Sequence, residues 1–242
     1  MLQKARLQVD WEGLDNVFLD MDGTLLDLHF DNYFWQEYLP RHFGERRGLS
    51  TAQAQAQLRP RFRAVEGTLQ WYSADFWSAE LGLDILALTR GLQDSIRVHA
   101  GAVELLQRAQ AAHKRLVLLT NAHPGVLAIK LEYTGLGRFF DRVVSAHALG
   151  HPKENAGFWH SLRTLEPFER HNTLFVDDSL PVLRAAQADG MDRLIAVRRP
   201  DSQLPVREIH EFPSVESLAE LVPESNEGLG VRSEELEKAR NY

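Results

Sequence analysis

The sequence predicts an α/β fold, a parallel sheet flanked by helices and interrupted early by an all-helical insert. Short apolar runs recur at residues 17–19, 115–119, 142–145, 173–176 and 193–197. From the second run onward they are separated by stretches with helical spacing, the pattern of right-handed βαβ units. Between residues 31 and 98, by contrast, the apolar residues follow only helical spacing and no strand candidate occurs.

At 242 residues the chain fits one large domain, or one domain carrying a smaller insert. Its hydrophobic content of 44% and charged content of 25% are those of an ordinary globular protein. A net charge of −7 argues against nucleic-acid binding and against a membrane-surface role, since both need a basic excess. The absence of cysteine excludes disulfides, thiolate metal sites and a catalytic thiol. Residues 1–10 carry Lys4 and Arg6 without an apolar stretch, so no secretory signal is expected. Nothing approaches the ~20 apolar residues of a membrane span, and a cytoplasmic protein, monomeric or a small homo-oligomer, is expected.

Taken in order, the run 17–19 reads as a buried strand, and Asp20-Met21-Asp22-Gly23-Thr24 as the turn at its carboxyl end. Residues 32–39 have helical spacing and are expected to end at Pro40. Ser50 and Gln53 form a capping-box pattern ahead of an Ala/Gln/Arg-rich helix. Residues 71–77 repeat the aromatic helical pattern of 32–39. Beyond residue 100 follow a helix at 101–113, the strand 115–119 and a helix opening at Pro124 and closing near Gly135. The strand 142–145, a loop through Lys153 and a helix at 155–165 come next. The strand 173–176 then ends in Asp177-Asp178-Ser179, a helix at 180–188 stops at Gly190, and 193–197 reads as the last core strand. Ser217 and Glu220 suit a helix cap, and the residues past Pro223 read as a linker and a charged tail.

The polar residues that interrupt this pattern share one address. Asp20 and Asp22 follow the first strand, Thr120 and Asn121 the second, Lys153 lies after the third, and Asp177 and Asp178 follow the fourth. In an open parallel sheet these positions line the carboxyl edge, where ligands bind. Two carboxylates ~5 Å apart repel by roughly 3 kcal/mol at an effective dielectric of ~20, so the cluster needs a cation, a proton or chemistry to justify it. A hard cation such as Mg²⁺ takes oxygen ligands and commonly shares them with a phosphate. Lys153 adds positive charge, while Thr120, Asn121 and the amides of the turn through Gly23 and Thr24 can donate to phosphate oxygens. One carboxylate is then left to attack phosphorus.

These segments resemble a known family. Asp20-Met21-Asp22-Gly23-Thr24-Leu25, Leu118-Leu119-Thr120-Asn121, His151-Pro152-Lys153 and Phe175-Val176-Asp177-Asp178-Ser179 resemble, in order, the four motifs of the haloacid dehalogenase (HAD) superfamily. The resemblance implies a Rossmann-like core formed by residues 1–30 and 99–223, with residues 31–98 as a C1-type helical cap over the substrate and 224–242 as a charged tail. It implies Asp20 as nucleophile and Asp22 as general acid/base that also lends its backbone carbonyl to the metal. It further implies that Thr120 binds phosphate, Lys153 neutralises charge, Asp178 ligates the metal directly and Asp177 acts through a water. The cofactor implied is Mg²⁺, with Mn²⁺ or another divalent cation as the alternative. The flanks, including Phe30-Asp31-Asn32-Tyr33-Phe34-Trp35 and Lys130-Leu131-Glu132-Tyr133-Thr134-Gly135, are similar to bacterial purine 5′-nucleotidases acting on GMP and IMP.

Taken one at a time, the motifs have plainer readings: Asp20 and Asp22 as turn formers, Thr120 and Asn121 as a helix cap, Lys153 as a surface lysine. Only together do they point to phosphoryl transfer. The aromatics Tyr33, Phe34, Trp35, Tyr38, Trp71, Tyr72, Phe76 and Trp77 are expected mostly to form the core of the insert, with one or two facing the site. His147 and His151 are separated by Gly150, ahead of Pro152, and are not expected to form a metal pair. The expected function is hydrolysis of a purine nucleoside 5′-monophosphate. A sugar-phosphate phosphatase or phosphoglucomutase is the enzymatic alternative, and a non-catalytic nucleotide-binding protein the other.

Overall fold

The computed structural model describes residues 9–222. The expected tail 224–242 lies outside the described residues. Six strands form one parallel sheet in the order β3-β2-β1-β4-β5-β6: β1 Asn16–Leu19, β2 Arg115–Thr120, β3 Arg142–Ser145, β4 Thr173–Asp177, β5 Arg193–Val197 and β6 Ser214–Val215. The chain winds outward from β1 to β3 and returns to lay β4 on the other flank of β1. The order therefore reverses beside β1, which is where an open parallel sheet leaves a crevice at its carboxyl edge.

β1 is buried throughout because both faces of the sheet are covered. Its Val17 and Leu19 join the apolar layer of Leu116, Leu118, Leu174 and Val176. Phe18 joins the opposite layer with Val117, Leu119, Trp159 and Phe175. Register does the rest. Leu19 lies beside Leu118 of β2 and Val176 of β4, so Asp20, Thr120 and Asp177 emerge on one edge within about a residue of one another.

The helical segments between residues 29 and 95 enclose an apolar cluster of their own, built on Phe34, Phe43, Leu58, Trp77, Leu81 and Ile85. The two chain crossings to the sheet run side by side, with Leu26 bridging Val98 and the Asp27 N–H donating to Arg97 O. The capping box expected at Ser50 is present in both directions: Gln53 N donates to Ser50 Oγ and Ser50 N to Gln53 Oε1. The helix Pro124–Thr134 opens at its proline and closes on Gly135 in the left-handed conformation (φ 66°).

Three expectations are corrected. The first helix does not stop at Pro40. His29–Tyr33 passes into a π-helical turn at Phe34–Tyr38 and on into Leu39–Glu45. A wider turn just before a proline makes room for its ring against the preceding carbonyls, and Pro40 sits where its missing N–H costs least. The aromatic helix expected at 71–77 begins at Ala74, because the Ser73 hydroxyl caps it by accepting from Phe76 N; a 3₁₀ turn, Leu69–Tyr72, precedes it. Finally, β5 is not the last strand, since Ser214–Val215 pairs with Ala196 and Val197. Among the described residues no helix is long and apolar enough to cross a membrane.

Candidate active site

Asp20 leaves β1 still tied to the sheet, its N–H donating to Val176 O. The chain then folds back, with Met21 O accepting from Leu25 N (2.9 Å) and Leu26 N (2.8 Å). The turn requires Gly23. Its φ is +94°, and a Cβ there would lie 2.7 Å from the Asp178 carboxyl carbon. Glycine thus lets the first carboxylate-bearing turn close onto the fourth.

Lys153 is the hub of the cluster. It is 2% exposed, and its Nζ donates to Asp20 Oδ1 (2.5 Å), Asp177 Oδ2 (2.7 Å) and Leu119 O (3.0 Å). Its backbone is fixed from both sides, the N–H donating to Asn121 Oδ1 and the carbonyl accepting from Trp159 Nε1. Burial alone would lower its pKa, but Asp177 and Asp20 outweigh that and hold it above the usual lysine range. Asp20 is raised well above an ordinary carboxyl, chiefly by burial; Lys153 pulls it back, while Asp177 and Asp178 push it further up. Burial also raises Asp177, and burial with the charge of Asp177 pushes Asp178 up to about 7. Three carboxylates thus face one ammonium, with the half-exposed Arg207 guanidinium 3.8 Å from Asp178 as the second cation, and the cluster is short of positive charge.

A divalent cation fits that deficit. Oxygens of Asp20, Asp177 and Asp178 all lie within 4.8 Å of one another. Asp20 Oδ2 is buried and has no hydrogen-bond partner among the described residues, the condition of an atom reserved for a ligand. The donors are hard carboxylate oxygens, suited to Mg²⁺. Both oxygens of Asp177 are already engaged, Oδ1 by Ser179 N and Oδ2 by Lys153. Asp20 and Asp178 are therefore the better direct ligands.

Three of the expected phosphate donors are already engaged within the protein. Gly23 N–H donates to Leu26 O (2.7 Å) and Thr24 N–H to Met21 O (3.4 Å), and the Thr24 side chain is fully buried. The turn folds back on itself more tightly than its sequence suggests, consuming those amides. The N–H groups of Met21 and Asp22 find no acceptor among the described residues and are the turn's remaining donors. Asn121 is engaged as well, its Nδ2 donating to Glu154 Oε2. Thr120 Oγ1 accepts from Ala122 N, which leaves its proton free to donate. His147 packs edge-on against His123, and His151 lies against Gly157.

Sequence reasoning missed two groups. Lys130, on the helix Pro124–Thr134, is 1% exposed and donates to Asp22 Oδ1 and to both oxygens of Asp31. Burial and the charge of Asp22 push Asp31 up to about 6, against the pull of Lys130. Glu154, next to Lys153, accepts from Tyr72 Oη (2.9 Å) as well as from Asn121. Lys130 pairs across 108 positions and Glu154 with Tyr72 across 82. No local spacing signals such contacts.

Above the carboxylates lies a cavity of about 630 Å³, in the size range of small-molecule sites. Asp20, Thr120 and Asp178 line it from the sheet, and Trp35, Phe62, Trp71 and Tyr72 from the helical block. Of the eight aromatics expected to build the block's core, four (Trp35, Trp71, Tyr72 and Trp77) border this space, more than the one or two expected. Trp77 does so while remaining 1% exposed, so core and site share the same rings.

A family model for haloacid dehalogenase-like hydrolases matches residues 14–190. The chain is 39% identical over 217 residues to the GMP/IMP nucleotidase YrfG of Escherichia coli K12, covering 90% of this chain and 98% of that protein. It is 25% identical over 213 residues to a phosphoglycolate phosphatase of Pseudomonas syringae pv. tomato, covering 86% of this chain and 78% of the relative. Among solved structures, a HAD phosphatase from Thermococcus onnurineus superposes with a TM-score of 0.71 at 18% identity, covering 86% of this chain and 95% of the other. That last likeness concerns the fold.

Proposed function

Because the chain belongs to the haloacid dehalogenase-like hydrolases, we propose that it is a Mg²⁺-dependent phosphatase. Its substrates are purine nucleoside 5′-monophosphates, GMP and IMP, hydrolysed through an aspartyl-phosphate. One observation carries the reaction type: Asp20 Oδ2, buried and without a hydrogen-bond partner among the described residues, in the cavity lining beside Lys153 and two further carboxylates.

One carboxylate oxygen of Asp20 forms a bond to phosphorus as the bond to the ester oxygen breaks. Asp22 gives that departing oxygen its proton. The Asp22 carboxylate then takes a proton from a water whose oxygen attacks phosphorus, the Asp20–phosphorus bond breaks, and inorganic phosphate leaves. Lys153, Thr120 and the N–H groups of Met21 and Asp22 stabilise the transferring phosphoryl oxygens. Bound by Asp20 and Asp178, with Asp177 acting through water, Mg²⁺ supplies further neutralisation of that charge. In this reading residues 31–98 are the cap that excludes water over a core of 1–30 and 99–223, of which 1–8 and 223 lie outside the described residues.

The purine assignment is supported by the 39% identical nucleotidase and by the cavity wall. Arg59 lines the same cavity as Trp35, Phe62 and Trp71, and among the described residues nothing pairs with its guanidinium. A guanidinium matches the paired O6 and N7 acceptors of guanine and hypoxanthine, whereas adenine offers a donor at the same edge. Phosphate release from GMP, IMP, AMP, CMP and several sugar phosphates, with Mg²⁺ and with chelator, tests the proposal. GMP and IMP should lead, and chelator should stop release until Mg²⁺ is restored. Equal rates across the panel refute the purine assignment alone; no release from any member refutes the phosphatase. Arg59→Ala should lower the preference for GMP over AMP roughly tenfold, from the ~1–3 kcal/mol such a bidentate contact contributes to discrimination.

A further inference from the structure

Lys130 is an unusual residue for the middle of a helix that packs on a core. Its ammonium is 1% exposed, and burying such an ion costs several kcal/mol unless geometry repays it. The geometry here is complete. Three donors meet three acceptors, Asp22 Oδ1 at 2.7 Å and the two Asp31 oxygens at 2.8 Å each, above the ring of Phe30 at 5.1 Å. For Asp22 the consequence is specific. No other side-chain hydrogen bond holds its carboxylate among the described residues, so Oδ1 is anchored and Oδ2 is left without a partner, on a residue that borders the cavity. Asp31 meanwhile offsets the ammonium's charge. A pair needed only to pin the helix His29–Tyr33 to the core would be served as well by apolar side chains. A carboxyl that must hand a proton to one oxygen needs its orientation fixed.

We propose that Lys130 is a positioning residue for proton transfer: by holding Asp22 Oδ1 it presents Asp22 Oδ2 to the leaving-group oxygen. This rests on Asp22 being the general acid proposed above. The two ideas separate by experiment. kcat/KM covers the steps through phosphorylation of Asp20, so it senses the acid only when the leaving group needs a proton. GMP, or the alkyl phosphate that leads the panel, needs one; p-nitrophenyl phosphate does not.

Lys130→Met and Asp22→Asn, each with Mg²⁺ and both substrates, should lower kcat/KM for the nucleotide about 10²- to 10³-fold, within the range for general acid catalysis. For p-nitrophenyl phosphate the fall should stay below about tenfold. Lys130→Arg, which keeps charge and donors, should recover part of the nucleotide rate. If Lys130→Met falls equally on both substrates while Asp22→Asn is selective, Lys130 is structural and the proposal fails with the mechanism intact. An unselective Asp22→Asn overturns both. Should Lys130→Met not fold, Lys130→Met/Asp31→Asn removes both charges of the pair and carries the same expectation.

Discussion

Asp20→Asn is expected to abolish turnover, with phosphate release falling by at least about 10⁴-fold, as when a covalent nucleophile is removed. The amide keeps the shape of the carboxyl and can still accept from Lys153 through its oxygen, so the loss is chemical. It cannot form the acyl phosphate. Stability should move the other way. In the native protein burial is the main force raising Asp20, and Asp177 and Asp178 add to it. A neutral side chain removes that strain, so without metal the variant should melt no lower than the parent. Added Mg²⁺ should stabilise it less than the parent, because a ligand is lost. Acid-quenched enzyme incubated with labelled substrate should carry phosphate in the parent and none in the variant. Turnover within tenfold of the parent would sink the aspartyl-phosphate mechanism.

Asp20, Thr120, Lys153, Asp177 and Asp178 were legible in the sequence for a topological reason. Each follows a buried apolar run or its loop, and a parallel sheet brings all such positions to one edge. Strands β1, β2, β4 and β5 were readable for the same cause, since burial on both faces leaves an uninterrupted apolar run. Residues whose meaning depends on a distant partner could not be read. Lys130 lies between Ile129 and Leu131 with no acid three or four positions away on its helix; its partners are Asp22 and Asp31. The Gly23 and Thr24 amides looked available because the turn's own hydrogen bonds are invisible until it folds. β6 is only two residues long, too short for any period to register.

Lys153→Met is expected to cost stability and turnover together, which distinguishes it from Asp20→Asn. The ammonium is the shared donor of Asp20 Oδ1, Asp177 Oδ2 and Leu119 O, all buried. Removing one partner of such a cluster leaves uncompensated charge and costs about 3–5 kcal/mol. For a chain of this size that is a melting point lower by roughly 6–20 °C. Turnover should fall about 10²- to 10³-fold through loss of a preorganised donor to the phosphoryl group. The sign of the pH dependence follows from the carboxylates. Burial already raises Asp20 and Asp177, and without Lys153 only the Ser179 N–H bonded to Asp177 opposes that rise. A carboxyl whose folded pKa lies above its unfolded value contributes stability at low pH and loses it as pH rises through the folded pKa. Lys153, held above the ordinary lysine range, stays charged across the whole interval in the parent. The gap in melting temperature between parent and variant, measured without metal, should therefore be small near pH 5 and widen toward pH 8. A gap that is constant with pH, or no larger than about 2–4 °C throughout, would mean that Lys153 does not offset the charge of Asp20 and Asp177. The cluster would then owe its cohesion to backbone contacts such as Ser179 N with Asp177 Oδ1.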